Sequence, residues 1–104
     1  MFVVIFRSRR SEEHDDAYAE WSRLMADAVL ESEGYVDHVS FRDPVTREGV
    51  TIAHFESEDS ISRWRGLPDH RRAQELGRES FYLDYTVEVA EVVRTHSWSR
   101  RGPE

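Results

Sequence analysis

The segment from His54 to Tyr82, HFESEDSISRWRGLPDHRRAQELGRESFY, constrains the fold of this chain more than any other. It begins at the end of an apolar strand. It then meets a Ser57-Glu58-Asp59-Ser60 cap, whose serine and carboxylates suit a helix N-terminus, and places Ile61 and Trp64 about one helical turn apart. Gly66 and Leu67 close that short helix, Pro68 suits the first turn of the next one, and an aromatic-rich strand follows. Few small folds are punctuated in this way.

The rest of the chain supplies the partners. Residues 2–8 read as a strand, with Phe2, Val4 and Phe6 on one side and Val3 and Ile5 on the other, so that both faces call for cover. A helix is predicted from the acidic start at residues 11–16 to about residue 33. Its stripe of Tyr18, Trp21, Leu24, Met25, Ala28 and Val29 stands opposite Glu20, Arg23, Asp27 and Glu31, and Gly34 serves as a left-handed cap. Residues 35–42 and 49–56 predict an antiparallel pair joined by a turn at 43–48. Alternation places Val39 and Phe41 with Tyr35, and His38, Ser40 and Arg42 on the other side. In the partner strand, Val50, Ile52 and His54 oppose Thr51, Ala53 and Phe55. A last strand is read over 81–94, with Phe81, Leu83, Tyr85, Val87 and Val89 alternating against Tyr82, Asp84, Thr86 and Glu88. The order strand, helix, strand, strand, helix pair, strand predicts an α+β sandwich of ferredoxin-like type, a four-stranded antiparallel sheet with its helices on one face.

At 104 residues this is one domain, read as residues 1–94 with a tail at 95–104. A core this small gains from association, and Phe2, Val4, Phe6 and the last strand are expected to need a partner's cover, which predicts a homodimer. The net charge of -7 argues against nucleic acid as a partner. All 14 basic residues are Arg, so lysine Schiff-base chemistry is excluded, and no cysteine is present for thiolate, disulfide or Cys-type zinc chemistry. The apolar start is too short for a signal peptide or a membrane span, which predicts a cytoplasmic protein with no membrane partner.

With its acid-rich cap, Ile61, Trp64 and the phrase Val39-Ser40-Phe41-Arg42-Asp43-Pro44, the chain resembles the antibiotic biosynthesis monooxygenase family over nearly all of residues 2–94. That resemblance implies a dimeric α+β barrel, in which two sheets pack face to face. It also implies cofactor-free oxygenation of a small aromatic compound of phenolic or polyketide type, with dioxygen as the second substrate and Trp64 facing the pocket.

The residues fit that expectation without specifying it. Five histidines are present, yet none stands in a ligand spacing, so no metal is predicted. There is no Gly-rich phosphate loop and no nucleophile elbow. An aromatic set of Trp21, Phe41, Phe55, Trp64, Phe81, Tyr82 and Tyr85 either lines a flat apolar cavity or simply forms the core. Trp64, His70, Tyr82 and Arg78 are the catalytic candidates: His70 or Tyr82 as base or hydrogen-bond partner of a phenolate, Arg78 as the cation near a nascent peroxide. His38, Phe41, His54 and Phe55 are the candidate substrate contacts, with His38 and His54 converging only if they face the same way. In this chemistry the substrate supplies the electrons, so no cofactor is expected.

A haem-degrading branch of the resembled family uses a first-strand Asn and a His ten residues after the tryptophan. Here those places hold Phe6-Arg7-Ser8 and Gln74, which ranks that branch low. The alternative from another class is a non-catalytic dimeric module that binds a small molecule.

Overall fold

The computed structural model describes residues 1–101, the side chain of Asp69 apart. The last three residues of the expected tail, 102–104, lie outside them. The elements are β1 (Phe2–Arg10), α1 (Asp15–Val29), β2 (Tyr35–Arg42), β3 (Glu48–Phe55), α2 (Glu58–Arg65), α3 (Pro68–Leu76), a π-helical turn (Gly77–Phe81) and β4 (Tyr82–Glu91). All neighbouring strands are antiparallel in the order β2-β3-β1-β4. This is the ferredoxin-like α+β arrangement expected from the element order. Among the described residues, no helix is long and apolar enough to cross a membrane.

The punctuation of the central segment acts as its chemistry dictates. Ser57, with extended backbone, accepts a hydrogen bond from the Ser60 N–H at 3.1 Å and caps α2. Pro68 occupies the first turn of α3, where its missing N–H costs nothing.

The first helix is shorter than expected. His14 stands at its N-cap with φ 62°, and beyond Val29 the chain tightens into three-residue turns, with Glu31 N–H bonding the Ala28 carbonyl and Ser32 N–H bonding that of Val29. Gly34 does adopt a left-handed φ of 84°, but it leads into β2 instead of capping α1. A Cβ there would lie 2.0 Å from Ser60 Oγ, so glycine is required both by the turn and by the close approach of α2.

β4 begins one residue late and ends three early. Phe81 belongs to the π-helical turn, and at the far end Glu91 pairs with Phe2, beyond which β1 offers only the Met1 carbonyl to Val92 N–H.

Two register shifts change which side chains share a face. One in β2, between Tyr35 and Asp37, puts Tyr35 on the helix side with His38, away from Val39 and Phe41. The other, where Arg9 faces Asp84 and Arg10 faces Tyr82, leaves Leu83 unpaired and turns both Tyr82 and Tyr85 toward the helices. Strict alternation had separated the members of both pairs.

The core gathers Val4, Val29, Ala53, Phe55 and Ile61, with Phe2, Tyr35, Trp64 and Val87 packed against it. Phe2, Val4 and Phe6 therefore lie under the chain's own helices and do not form the uncovered face, which is a correction to the expected seam. The uncovered face carries Val3, Ile5, Val39, Phe41, Val50 and Ile52 across the three adjacent strands β1, β3 and β2. On β4 that face is polar, with Asp84, Thr86 and Glu88, so the last strand is not apolar on both sides.

Candidate functional site

Between the helix side of the sheet and helices α1 and α3 lies a half-open cavity of about 330 Å³. The strand register gives it two ends. One row crosses His38, Ala53 and Val4, and another, four residues along each strand, crosses Arg42, Gly49, Ser8 and Tyr85. At the strand rise those rows stand about 13 Å apart.

The first end is aromatic. Trp64 packs 5.7 Å from the Phe55 ring and 4.0 Å from the His70 ring, centroid to centroid. Trp64 comes from the last turn of α2 and His70 from the first turn of α3, and the Pro68 break folds one helix back on the other. Trp64 Nε1 and His70 Nδ1 are both buried without a hydrogen-bond partner among the described residues. Buried polar atoms in such a position are costly unless something binds them. Burial, reinforced by the nearby Arg65 cation, outweighs a contact of the ring with the Arg65 backbone carbonyl and lowers the His70 pKa to about 4, so its ring is neutral at physiological pH. His38, at the same row, bonds through Nδ1 to the Tyr35 hydroxyl at 2.7 Å.

The second end is a cluster of phenols and guanidiniums. Phe6 stacks on Tyr85 at 5.4 Å and meets Tyr82 edge-on at 5.3 Å, and Tyr18 in turn meets Tyr82 edge-on at 5.8 Å. Burial, and then the neighbouring Tyr18 phenol, push the Tyr82 pKa up, so it stays protonated. Arg42 reaches Tyr18 Oη at 3.2 Å and Ser8 Oγ at 2.9 Å. The Arg10 guanidinium lies 4.0 Å above the Tyr18 ring, within cation–π range, and is almost wholly buried.

The sequence candidates therefore separate. Trp64, His70, Tyr82 and His38 line the cavity, together with Trp21, Phe81 and Tyr85. Arg78 does not line it, but donates to the Tyr85 hydroxyl at 3.2 Å from outside. Phe55 stands behind Trp64 as fully buried core. Phe41 and His54 are on the opposite face of the sheet, where Phe41 is 68% exposed and His54 bonds the Asp37 carboxylate at 2.7 Å. His38 and His54 do not converge, because 38 pairs with 53 and so takes the face opposite to 54. Among the described residues no three His, Asp or Glu side chains are grouped to hold a metal ion.

Tyr18, Arg42, Ser40 and Thr51 also line the cavity, and none was among the candidates. For Ser40 and Arg42 the signal was present in the alternation that grouped them with His38.

Comparison with known proteins adds independent findings. The family model described as antibiotic biosynthesis monooxygenase matches residues 1–76. The uncharacterised protein YqjZ of Bacillus subtilis is 36% identical over 93 residues, which cover 89% of this chain and 80% of YqjZ. A jasmonate monooxygenase of Pyricularia oryzae is 28% identical over 94 residues, 88% of this chain and 43% of that longer protein. Among solved structures, a Mycobacterium tuberculosis protein superposes with a TM-score of 0.80 at 17% identity, covering 92% of this chain and 98% of its own. SnoaB, a cofactor-independent oxygenase from Streptomyces nogalater, gives 0.76 at 15% identity, covering 90% and 94%.

Proposed function

The chain belongs to the antibiotic biosynthesis monooxygenase family, and from that premise we propose that it oxygenates a small phenolic or polyketide-type aromatic substrate with dioxygen and without a cofactor. The observation that carries this reading is the pair of unpartnered polar atoms, Trp64 Nε1 and His70 Nδ1, on adjacent rings in the cavity wall. Trp64 Nε1–H only donates, whereas a neutral imidazole has one nitrogen that accepts. A phenolic hydroxyl carries the chemical complement of both, an oxygen that accepts from an indole and a hydrogen that an imidazole nitrogen accepts.

A histidine with a pKa of about 4 is a weak base for a resting phenol. The chemistry supplies the difference. The indole N–H stabilises the phenolate oxygen, and the proton passes to the imidazole ahead of or in step with the electron that the ring gives to dioxygen. The resulting phenoxyl radical and superoxide combine at ring carbon, the imidazolium returns that proton to the peroxide, and the hydroperoxide loses water to leave a quinone. Tyr82, a buried phenol kept protonated beside Tyr18, closes the far end of the cavity and is a hydrogen-bond donor to its own neighbour there. Arg78 acts at one remove, fixing Tyr85. A second copy of the chain is proposed to cover the exposed face built on Val39, Phe41, Val50 and Ile52. The similarity to SnoaB supports the reaction type, and the similarity to jasmonate monooxygenase supports an oxygenase more broadly.

Oxygen uptake with a panel of polycyclic phenols starting from 1-naphthol tests the reading. Protein-dependent uptake is expected, falling by about 10²-fold in His70→Ala and Trp64→Phe. Saturable binding of the same phenols without uptake would favour a binding module instead.

A further inference from the structure

We infer that the Arg42 end of the cavity binds a carboxylate, so that the ligand is an aromatic acid held by its charged group about 13 Å from the Trp64 row. This rests on the proposed aromatic ligand and names its second feature.

The guanidinium of Arg42 is positioned and has no counterion. Its hydrogen bonds go to neutral oxygens: the Arg47 carbonyl at 2.8 Å, Ser8 Oγ at 2.9 Å, Tyr18 Oη at 3.2 Å and the Ser8 carbonyl at 3.5 Å. None of the ion pairs among the described residues includes it. The nearby cations Arg10 and Arg47 already share one carboxylate, Asp15. Arg42, which like Arg10 lies over the Tyr18 ring, has none, in a chain whose net charge is -7. An uncompensated cation in a cavity wall favours an anion there.

The sequence makes room for this placement. A Cβ on Gly49 would lie 2.7 Å from Arg42 Cζ, so the glycine allows the guanidinium to cross the backbone of β3 and reach Ser8. Ser8, a serine buried in the first strand, answers with its hydroxyl.

The phenol hydroxyls carry the hydrogens that a ligand meets. Tyr18 Oη accepts from Arg42, and Tyr85 Oη accepts from Arg78, so each phenol retains its own hydrogen to donate. These donors are charge-assisted, because a cation polarises each oxygen. A carboxylate accepts only, and it gains from the field of the uncompensated Arg42 and from the Tyr18 hydroxyl that this cation polarises, where a neutral ester or amide carbonyl gains less.

The test uses the full chain and two nearly isosteric probes, 2-naphthylacetate and its uncharged amide, measured by equilibrium dialysis without oxygen turnover. The acid is expected to bind about tenfold or more tightly than the amide, with the preference weakening as salt rises. Arg42→Gln is expected to abolish the preference while leaving amide affinity within about twofold. Tyr18→Phe, which keeps the ring and removes the donor, is expected to reduce it in part, and it decides the matter should Arg42→Gln not fold. Equal affinity for the two probes in the wild type, no binding of either, or an unchanged ratio in the variants would overturn the inference. An acid preference in a protein that consumes no oxygen leaves this inference standing and removes the oxygenase reading.

Discussion

The two faces of the one sheet are built on the same alternation and end in opposite condition. On the helix side, Val4, Ala53 and Phe55 are buried, yet the same face also carries Ser8, Ser40, Arg42 and Thr51. On the other side, Val39 and Phe41 stand 49% and 68% exposed among Ile5, Val50 and Ile52. Stability of a lone protomer favours the reverse, with polar groups outside and large apolar ones inside. The inward polar groups make sense as the wall of a ligand cavity. The outward apolar groups form a continuous patch of the kind that marks an interaction surface.

The most severe test of that contrast is Phe55→Ala. Its ring is fully buried between Tyr35 and Trp64, and its removal is expected to cost about 3–5 kcal/mol in urea unfolding. A loss below about 1 kcal/mol would mean that the helix face is not the better packed of the two.

A second prediction concerns pH. The folded His70 pKa of about 4 lies below its ordinary value of 6.5, so the unfolded chain binds the proton first as pH falls. The stability conferred by the neutral, buried ring is therefore fully present above pH 6.5 and is lost down to pH 4, by up to about 3 kcal/mol. His70→Gln should flatten that segment of the stability curve. Asp15 and Asp43, held below the usual carboxylate range by the Arg47 guanidinium and by the Thr46 and Val45 N–H groups, also lose stability in acid. They do so in both proteins, so the difference curve isolates the histidine. A difference that does not vary between pH 4 and 7 would place His70 in water.

Gly34→Ala is next in size. It forces a side chain into the left-handed region, at about 1–2 kcal/mol. It also drives a Cβ against Ser60, which hydrogen-bonds the α2 cap. Thermal unfolding should show the loss, and an unchanged midpoint would mean that the turn relaxes freely.

These expectations also separate what was legible in the sequence from what was not. The helix pair after Ser57, the β2–β3 pairing and the fold were legible because caps, breakers and alternation act locally. Trp64 and His70 were legible through the resemblance and through the Pro68 break that brings them together. Tyr82 beside Tyr85, and Tyr35 beside His38, were not, since a one-residue bulge inverts a face and leaves no mark in composition. Phe41 and His54 were placed in the cavity because both faces carry mixed residues, and nothing in period two says which face the helices will cover. Arg42 was grouped with the correct face, but its reach across Gly49 to Ser8 is a contact between three strands that no local pattern encodes.

The smallest expected effect on the protomer is the most telling about its surroundings. Phe41→Ala, in the strand beside Phe55 but on the open face, should change protomer stability by no more than about 0.5 kcal/mol, because two-thirds of the ring already meets solvent. If a second copy covers that face, the wild-type unfolding midpoint rises with protein concentration, and Phe41→Asp, which sets a carboxylate in the seam, removes that dependence and sediments as a monomer. A wild type that is monomeric and independent of concentration leaves the patch without its proposed cover. Phe41 and Trp64 are on opposite sides of the sheet, so probe binding in the cavity reports separately from the dimer. Loss of the dimer with probe binding retained would show that each cavity is complete within one chain, whereas loss of both would mean that the sheet needs its partner to hold Arg42 and Tyr85 in register.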